Sequence, residues 1–142
     1  MNVKDQGTGI YKEKRTVSLA GTLNVAPHTA TAQNSEPVGL YARDGVTVTD
    51  NLTSTTIGEK SYGIILNSSS TPSTYTNTSS GTVELGNDST YLYSEGNANI
   101  TNNRNIAPTA NADRSIAFYI KGNGEANTKF VNNGNIDLSV GK

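Results

Sequence analysis

Short runs of apolar and aromatic residues recur along the chain, and each run is closed by a charged residue, Asn or Gly. Within a run, apolar residues alternate with polar or small ones, a period of two that is typical of strands with one buried face. The runs are 8-TGIYKEK-14, 38-VGLYARDG-45, 62-YGIILNS-68, 90-TYLYSEG-96 and 116-IAFYIKG-122. The pattern therefore predicts five similar short strands.

The spacing of these runs is nearly constant. Their central apolar residues are separated by 30, 24, 28 and 26 residues. These central residues are Ile10, Leu40, Ile64, Leu92 and Phe118. A period between about 20 and 50 residues is the sequence signature of a solenoid, a propeller or another repeat array. The chain is therefore predicted to be a repeat protein.

Two further strand-like elements fall between the runs. One is 21-GTLNV-25, 81-GTVEL-85 and 134-GNIDL-138, with degenerate copies at 55-TTIG-58 and 105-NIAP-108. A fainter one is 46-VTVTD-50, 98-ANIT-101 and 128-TKFVN-132. No window of about 11 residues shows the i, i+3, i+4, i+7 apolar spacing of an amphipathic helix. We therefore expect two or three short strands in each repeat and almost no helix.

This arrangement predicts an all-β fold, a β-solenoid of about five turns that forms one segment over residues 1–142. One turn cannot bury its own apolar face, but turns stacked about 4.8 Å apart place like residues on like residues and build a continuous core. A β-sandwich is the alternative, although a sandwich does not require its strands to resemble each other. The expected turns run approximately over 9–38, 39–62, 63–90, 91–116 and 117–142.

The alternation predicts which side chains of the five runs face inward and which face outward. If the Ile/Leu/Phe column faces inward, the residue after each central position points outward. The residues that share the inward face are then Val38, Ala42, Tyr62, Leu66, Ile116 and Ile120. Those outer residues are Tyr11, Tyr41, Ile65, Tyr93 and Tyr119. The four tyrosines form either a stabilising stack across turns or an exposed strip that binds a sugar ring or a protein partner. They are the candidate ligand-binding residues, and 43-RDG-45 is expected to turn the corner after its strand.

Composition and charge exclude several function classes. Hydrophobic residues make up 33% of the chain, whereas 18 Asn, 14 Ser and 19 Thr give it a polar, weakly charged character. The net charge of −1 gives no electrostatic reason to expect nucleic acid or an anionic membrane as a partner. No Cys, no signal peptide and no apolar run of about 18 residues is present. Because neither terminus looks like a polar cap, we expect the chain to be an excerpt of a longer protein.

The sequence offers no catalytic, metal or cofactor site, and we expect no enzymatic activity. His28 is the only histidine and lies in the polar loop 26–37, where a solvated side chain is expected. The acidic residues are scattered, with no paired carboxylates. The low-complexity stretch 67-NSSSTPSTYTNTSS-80 is expected to be an exposed loop. The stretch 51-NLTSTTIGEK-60 lacks the Gly-Thr-Val element, so the strand register of the second turn is open.

Strands of the type Gly-Ile-Tyr or Gly-Leu-Tyr alternate with strands of the type Asn-Asn-Gly-Asn-Ile or Gly-Thr-Val/Leu, in a background without Cys. This pattern resembles the passenger repeats of large type V autotransporter adhesins, most closely those of fusobacteria. The resemblance covers essentially the whole chain. It implies a right-handed parallel β-helix displayed on the bacterial outer surface, with membrane attachment only through a C-terminal β-barrel that this chain lacks.

Adhesion is the function that this resemblance implies. The expected partners are a host-cell receptor, a glycan or another bacterium, and the segment is expected to be a β-helical stalk that supports this adhesion. A glycan- or protein-binding module that uses the tyrosine strip is the alternative. A polysaccharide-degrading β-helix enzyme is a weaker third hypothesis.

Overall fold

The computed structural model describes residues 1–29, 36–108, 112–122 and 128–138. The middle of the polar loop 26–37 and parts of the last expected turn, including its end at 139–142, lie outside the described residues. Within the described ranges the chain is all-β, with no helix and therefore no helix that could cross a membrane. The strands are β1 (Asn2–Val3), β2 (Thr8–Glu13), β3 (Thr16–Val25), β4 (Val38–Arg43), β5 (Thr47–Ile57), β6 (Tyr62–Asn77), β7 (Thr82–Leu85), β8 (Thr90–Asn102), β9 (Ala107–Pro108), β10 (Ile116–Lys121) and β11 (Lys129–Asn132).

The first face of the fold is a ladder of five parallel rungs. In order, these rungs are β2, β4, the first part of β6, the first part of β8, and β10. Ile10 pairs with Leu40, Leu40 with Ile64, Ile64 with Leu92, and Leu92 with Phe118. The register predicted from the repeat spacing is confirmed, because each central residue lies directly over its counterpart in the next turn.

Two further faces complete each turn. The second face stacks the first halves of β3 and β5, the later parts of β6 and β8, and β11. The third face stacks β1, the ends of β3 and β5, β7 and β9. Every one of these pairings is parallel, and the result is a β-solenoid of about four turns. The sandwich alternative is wrong, because strands joined by short connections stack along an axis and do not form two opposed antiparallel sheets.

Stacking buries the apolar column at the centre of the first face. Leu40, Ile64 and Leu92 are fully buried, and Ala42 and Leu66 share their side of the sheet as the alternation predicts. Val38, Tyr62 and Ile116 depart from that prediction. A Cβ on Gly39 or Gly63 would meet side chains of the core, so the alternation shifts by one residue just before the central position. Val38 and Tyr62 therefore line the outer side, and Ile116 is exposed.

The corner after β4 forms where the sequence places it. Asp44 and Gly45 adopt left-handed backbone conformations, with φ of 52° and 73°. This region is uncommon for residues with a side chain, but Asp tolerates it and Gly adopts it freely. A Cβ on Gly45 would also lie 2.8 Å from the side chain of Thr71. Asp44 accepts hydrogen bonds from the backbone amide and hydroxyl of Ser69 at 2.8 and 3.0 Å, which ties the corner to the next turn.

The prediction of an exposed loop over 67–80 is wrong. β6 continues through Asn77, and Ser73, Tyr75 and Asn77 are buried on the second face. Within β6, only residues 69–72 leave the ladder, between the pairings of Ser68 with Gly96 and of Ser73 with Ala98, and residues 78–80 form the turn that follows β6. Polar residues are tolerated in this interior because the turns satisfy them, as in the 2.7 Å hydrogen bond between the hydroxyls of Ser68 and Ser73.

The second turn keeps a continuous register on the third face. Ile57 lies between Val25 and Leu85, so residues 54–57 occupy the place of 22-TLNV-25 and 82-TVEL-85, with Thr55 at the position of Leu23 and Val83. The irregularity is confined to one inserted residue, Thr53, which lies opposite the step from Gly21 to Thr22. The open question of register in this turn is therefore resolved by a single bulge.

Candidate functional site: an outer tyrosine column and a buried polar cluster

The structure places the four candidate tyrosines in one column on the outer side of the first face. Tyr11 stacks on Tyr41 with ring centroids 5.6 Å apart and planes 12° from parallel. Tyr93 stacks on Tyr119 at 4.9 Å and 3°. The terminal rings are the most accessible, with Tyr11 52% and Tyr119 44% exposed. The stacking across turns is confirmed, and it leaves aromatic surface available to solvent.

Ile65 divides this column into two pairs. It pairs with Tyr41 on one side and with Tyr93 on the other, so no ring continues the stack between them. Tyr62, on the same rung as Ile65, packs its ring against Tyr93 in an edge-to-face arrangement at 6.1 Å and 84°. The column is therefore interrupted at the third rung by a smaller, aliphatic side chain.

A groove of about 310 Å³ lies beside this interruption and is called the Tyr41 groove. Its walls combine two tyrosine rings, two aliphatic side chains, one hydroxyl and one carboxylate. The lining residues are Thr8, Glu36, Val38, Tyr41, Tyr62 and Ile65. Burial and the nearby Glu36 carboxylate raise the pKa of Tyr62, so its phenol keeps its proton and remains available as a donor.

A second feature, which the sequence reasoning missed, is a cluster of polar side chains buried in the core. Asp50 and Arg104 both have side chains that are 0% exposed, with Arg104 Nη1 3.2 Å from Asp50 Oδ2. Tyr75 and Tyr91 donate their hydroxyls to the same carboxylate oxygen at 2.6 and 3.1 Å, and these two hydroxyls also contact each other. Burial raises the pKa of both tyrosines, so they stay neutral donors.

The guanidinium of Arg104 is satisfied on all three nitrogens. Nε donates to the backbone oxygen of Thr78 at 3.0 Å, and Nη2 donates to the backbone oxygens of Asp50 and Leu52 at 3.1 and 3.2 Å. A charge buried with its partner and with all its donors used stabilises a core but is not available to a substrate. The buried cluster is therefore structural, and we assign it no catalytic role.

The buried cluster continues into a ladder of asparagines on the second face. Asn77 donates to the side-chain oxygen of Asn102 at 2.7 Å, and Asn102 donates to that of Asn132 at 2.8 Å. The same column of paired positions begins with Leu19 and continues with Asp50, because Leu19 pairs with Asp50 and Asp50 pairs with Asn77. The signal was present in the sequence, since alternation from Val46 and Val48 already directs Asp50 inward.

His28 is not the solvated side chain that the sequence predicts. Its side chain is 10% exposed, and Nδ1 lies 2.8 Å from Asp5 Oδ1. Asp5 also accepts hydrogen bonds from the backbone amide and hydroxyl of Thr29, both at 3.0 Å. The pair fastens the segment after β3 to the first turn, a contact between residues 23 positions apart that local sequence does not show.

The described ranges contain no group of three or more His, Cys, Asp or Glu residues that could hold a metal ion. No protein-family model matches the chain, and neither a curated protein nor a solved structure matches it significantly.

Proposed function

We propose that this chain is a scaffold segment of a cell-surface adhesin: a β-helical stalk, outside a bacterial outer membrane, that supports adhesion to host cells or other bacteria. The observation that carries the proposal is the stacking of successive turns through five rungs of the first face. Each rung adds about 4.8 Å along the axis, so repetition of the unit builds length directly.

The interior and the surface both suit this role. The buried cluster and the asparagine ladder tie neighbouring turns together with hydrogen bonds as well as apolar contacts. The large content of Asn, Ser and Thr keeps the rod polar at a net charge of only −1. Such a rod holds a binding region at a distance without strong electrostatic attraction to nucleic acid or anionic lipid.

Surface display is tested with antibodies raised against the purified chain. They should label intact cells of the source bacterium, and brief protease treatment of those cells should remove the label. Labelling that requires permeabilised cells would contradict the proposal.

The stalk role is tested by exchanging the segment for an unrelated β-solenoid with the same number of turns. Adhesion to host cells and to partner bacteria should survive the exchange, because a stalk contributes only length and stiffness. Loss of adhesion, with surface display unchanged, would assign binding to this chain itself.

A glycan- or protein-binding module is the second candidate, favoured by the exposed stacked tyrosines. Aromatic side chains provide large contact areas at small entropic cost, and they are enriched where binding energy is concentrated. Replacing Tyr41, Tyr93 and Tyr119 together by Ala should then abolish adhesion by beads coated with the folded chain. Unchanged bead adhesion would remove the tyrosine column from consideration.

A polysaccharide-degrading enzyme has the least support. Asp50, the acidic residue held closest to an arginine inside the core, is fully buried and already bonded. Incubating the chain with acidic polysaccharides, with and without added calcium, tests this hypothesis, and release of cleaved products would revive it.

A further inference from the structure

We propose that the Tyr41 groove is a binding subsite for one neutral hexopyranose unit of a glycan. The inference rests on the second candidate function, in which the outer tyrosines act in binding, and it names the place and the ligand class. The volume of about 310 Å³ lies at the lower end of the range of about 300–1,000 Å³ for small-molecule sites and suits a single sugar ring.

One face of the Tyr41 ring has no aromatic neighbour in the column. Tyr41 has one face against Tyr11, and the next position in the column is Ile65, so no described aromatic ring covers its other face. Tyr93, two rungs beyond Tyr41, lies about 9.6 Å away along the axis, at twice the strand spacing. The C–H face of a pyranose packs on the face of an aromatic ring, as other apolar groups do.

The tyrosine is held in place before any ligand arrives. Asn67 Nδ2 donates to the Tyr41 hydroxyl at 3.1 Å, and the stack on Tyr11 restrains the ring from one side. A platform that is already ordered loses little conformational entropy on binding. The interrupted column therefore provides a rigid surface rather than a mobile side chain.

Polar groups at the rim match the hydroxyls of a sugar. Glu36 supplies carboxylate acceptors and Thr8 a hydroxyl, and neither side chain has a hydrogen-bond or ion-pair partner among the described residues. Tyr62, which also lines the groove, adds a phenol that can donate a hydrogen bond. A few convergent polar groups above an apolar floor are what orient a small ligand.

The charge of the groove favours a neutral ligand. Glu36 repels acidic sugars, whose carboxylate would be brought close to its own. A cation would pair with Glu36, but an exposed ion pair contributes little, and the apolar floor of Val38 and Ile65 would remain uncovered. A hexopyranose uses the ring face, the floor and the polar rim together.

The first test is ligand-observed saturation-transfer NMR on the purified chain with the methyl pyranosides of glucose, galactose and mannose. At least one of these should bind in the millimolar range. Tyr41→Ala should weaken its binding about tenfold, the equivalent of one lost aromatic contact. Phe130→Ala is the matched control, because it removes an exposed aromatic ring of β11 that does not line the groove, and it should leave binding unchanged.

The sharpest variant is Ile65→Tyr, which completes the aromatic column and fills the gap. It should keep or raise the melting temperature and abolish sugar binding, so loss of fold cannot explain the result. Sugar binding that survives Ile65→Tyr would overturn the proposal, as would the absence of saturation transfer from all three sugars.

Glu36→Gln distinguishes a neutral sugar from a cation. Sugar binding should change less than about threefold and should be independent of salt, because an amide still accepts a hydroxyl and no net charge is paired. Binding detected only for methylammonium or lysine methyl ester, and lost in Glu36→Gln, would replace the sugar by a cationic ligand.

The stalk exchange separates the two proposals, since adhesion that survives it supports the scaffold whether or not the groove binds sugar.

Discussion

Replacement of Arg104 by Met tests whether the buried cluster stabilises the solenoid. Met keeps an unbranched apolar stem, although a shorter one, and removes the charge and all the donors. The Asp50 carboxylate would then be left in the core without its counter-ion, retaining hydrogen bonds from the two tyrosine hydroxyls and from the Leu52 amide. The backbone oxygens that Arg104 binds would lose their donors as well.

The expected effect is large. Both members of the ion pair are fully buried, and removing one partner of such a pair destabilises a protein by about 3–5 kcal/mol. The free energy of unfolding of a typical domain is only about 5–15 kcal/mol, so the variant should lose a substantial fraction of its stability. Urea unfolding followed by far-UV circular dichroism and by tyrosine fluorescence measures this, since the chain has seven Tyr and no Trp.

The double variant Asp50→Asn, Arg104→Met separates loss of the charge pair from loss of packing. Asn is already accepted at the equivalent positions of the next two turns, Asn77 and Asn102, and its amide oxygen can still accept a tyrosine hydroxyl. The double variant should therefore be more stable than Arg104→Met alone, with a coupling energy of about 1–3 kcal/mol.

Arg114→Met provides the matched control. Arg114 pairs with Asp88 at 2.6 Å, but its side chain is 65% exposed, so solvent screens the pair and the loss should be below about 1 kcal/mol. If Arg104→Met is no more destabilising than Arg114→Met, or if the double variant shows the simple sum of its single effects, the reasoning about a buried, coupled pair is refuted.

Four further variants test other parts of the structure. Gly81→Ala should destabilise the fold by roughly 1–3 kcal/mol in a thermal melt, because a Cβ there would lie 2.4 Å from a backbone oxygen of β5 and 2.6 Å from the buried guanidinium. Gly122→Ala, with nothing within 4 Å of the new Cβ, should change stability by less than about 0.5 kcal/mol. The hydrogen bond from His28, followed by that from a backbone amide, lowers the pKa of Asp5 from 3.8 to about 2. Its stabilisation is therefore present above about pH 4 and lost as the pH falls through about 2, so the urea midpoints of wild type and Asp5→Asn should differ at neutral pH and converge near pH 2. Asn77→Ala should cost about 1–3 kcal/mol for each buried partner left unsatisfied, and an unchanged urea midpoint would show that the asparagine ladder contributes nothing.

The candidate site was only partly predictable from the sequence. The outer tyrosine column follows from alternation, which needs no knowledge of distant residues, and Tyr11, Tyr41, Tyr93 and Tyr119 lie where it places them. The Tyr41 groove could not be predicted. It depends on the half-buried ring of Tyr62, which the alternation assigned to the core, and on Glu36, which lies in no strand.

The sequence by itself determined the repeating architecture. In a solenoid, each turn presents the same positions to the turns above and below. The sequence pattern that produces the stacking therefore recurs once in every repeat. Its period was therefore enough to set the register of Ile10, Leu40, Ile64, Leu92 and Phe118. The same redundancy accounts for the correct prediction of strands without helices.

Only the tertiary structure decided the features that occur once. Asp50 and Arg104 lie 54 positions apart, and Asp5 and His28 lie 23 apart, so no repeat marks them as partners. The polar composition of residues 67–80 led to the wrong prediction of an exposed loop. Polarity indicates how much it costs to bury a side chain in an apolar interior, but not whether a neighbouring turn supplies the hydrogen bonds that offset this cost. Periodic contacts can be recognised in a single sequence because they are repeated. A long-range contact that occurs once forms only after the turns have stacked, so the sequence does not reveal it.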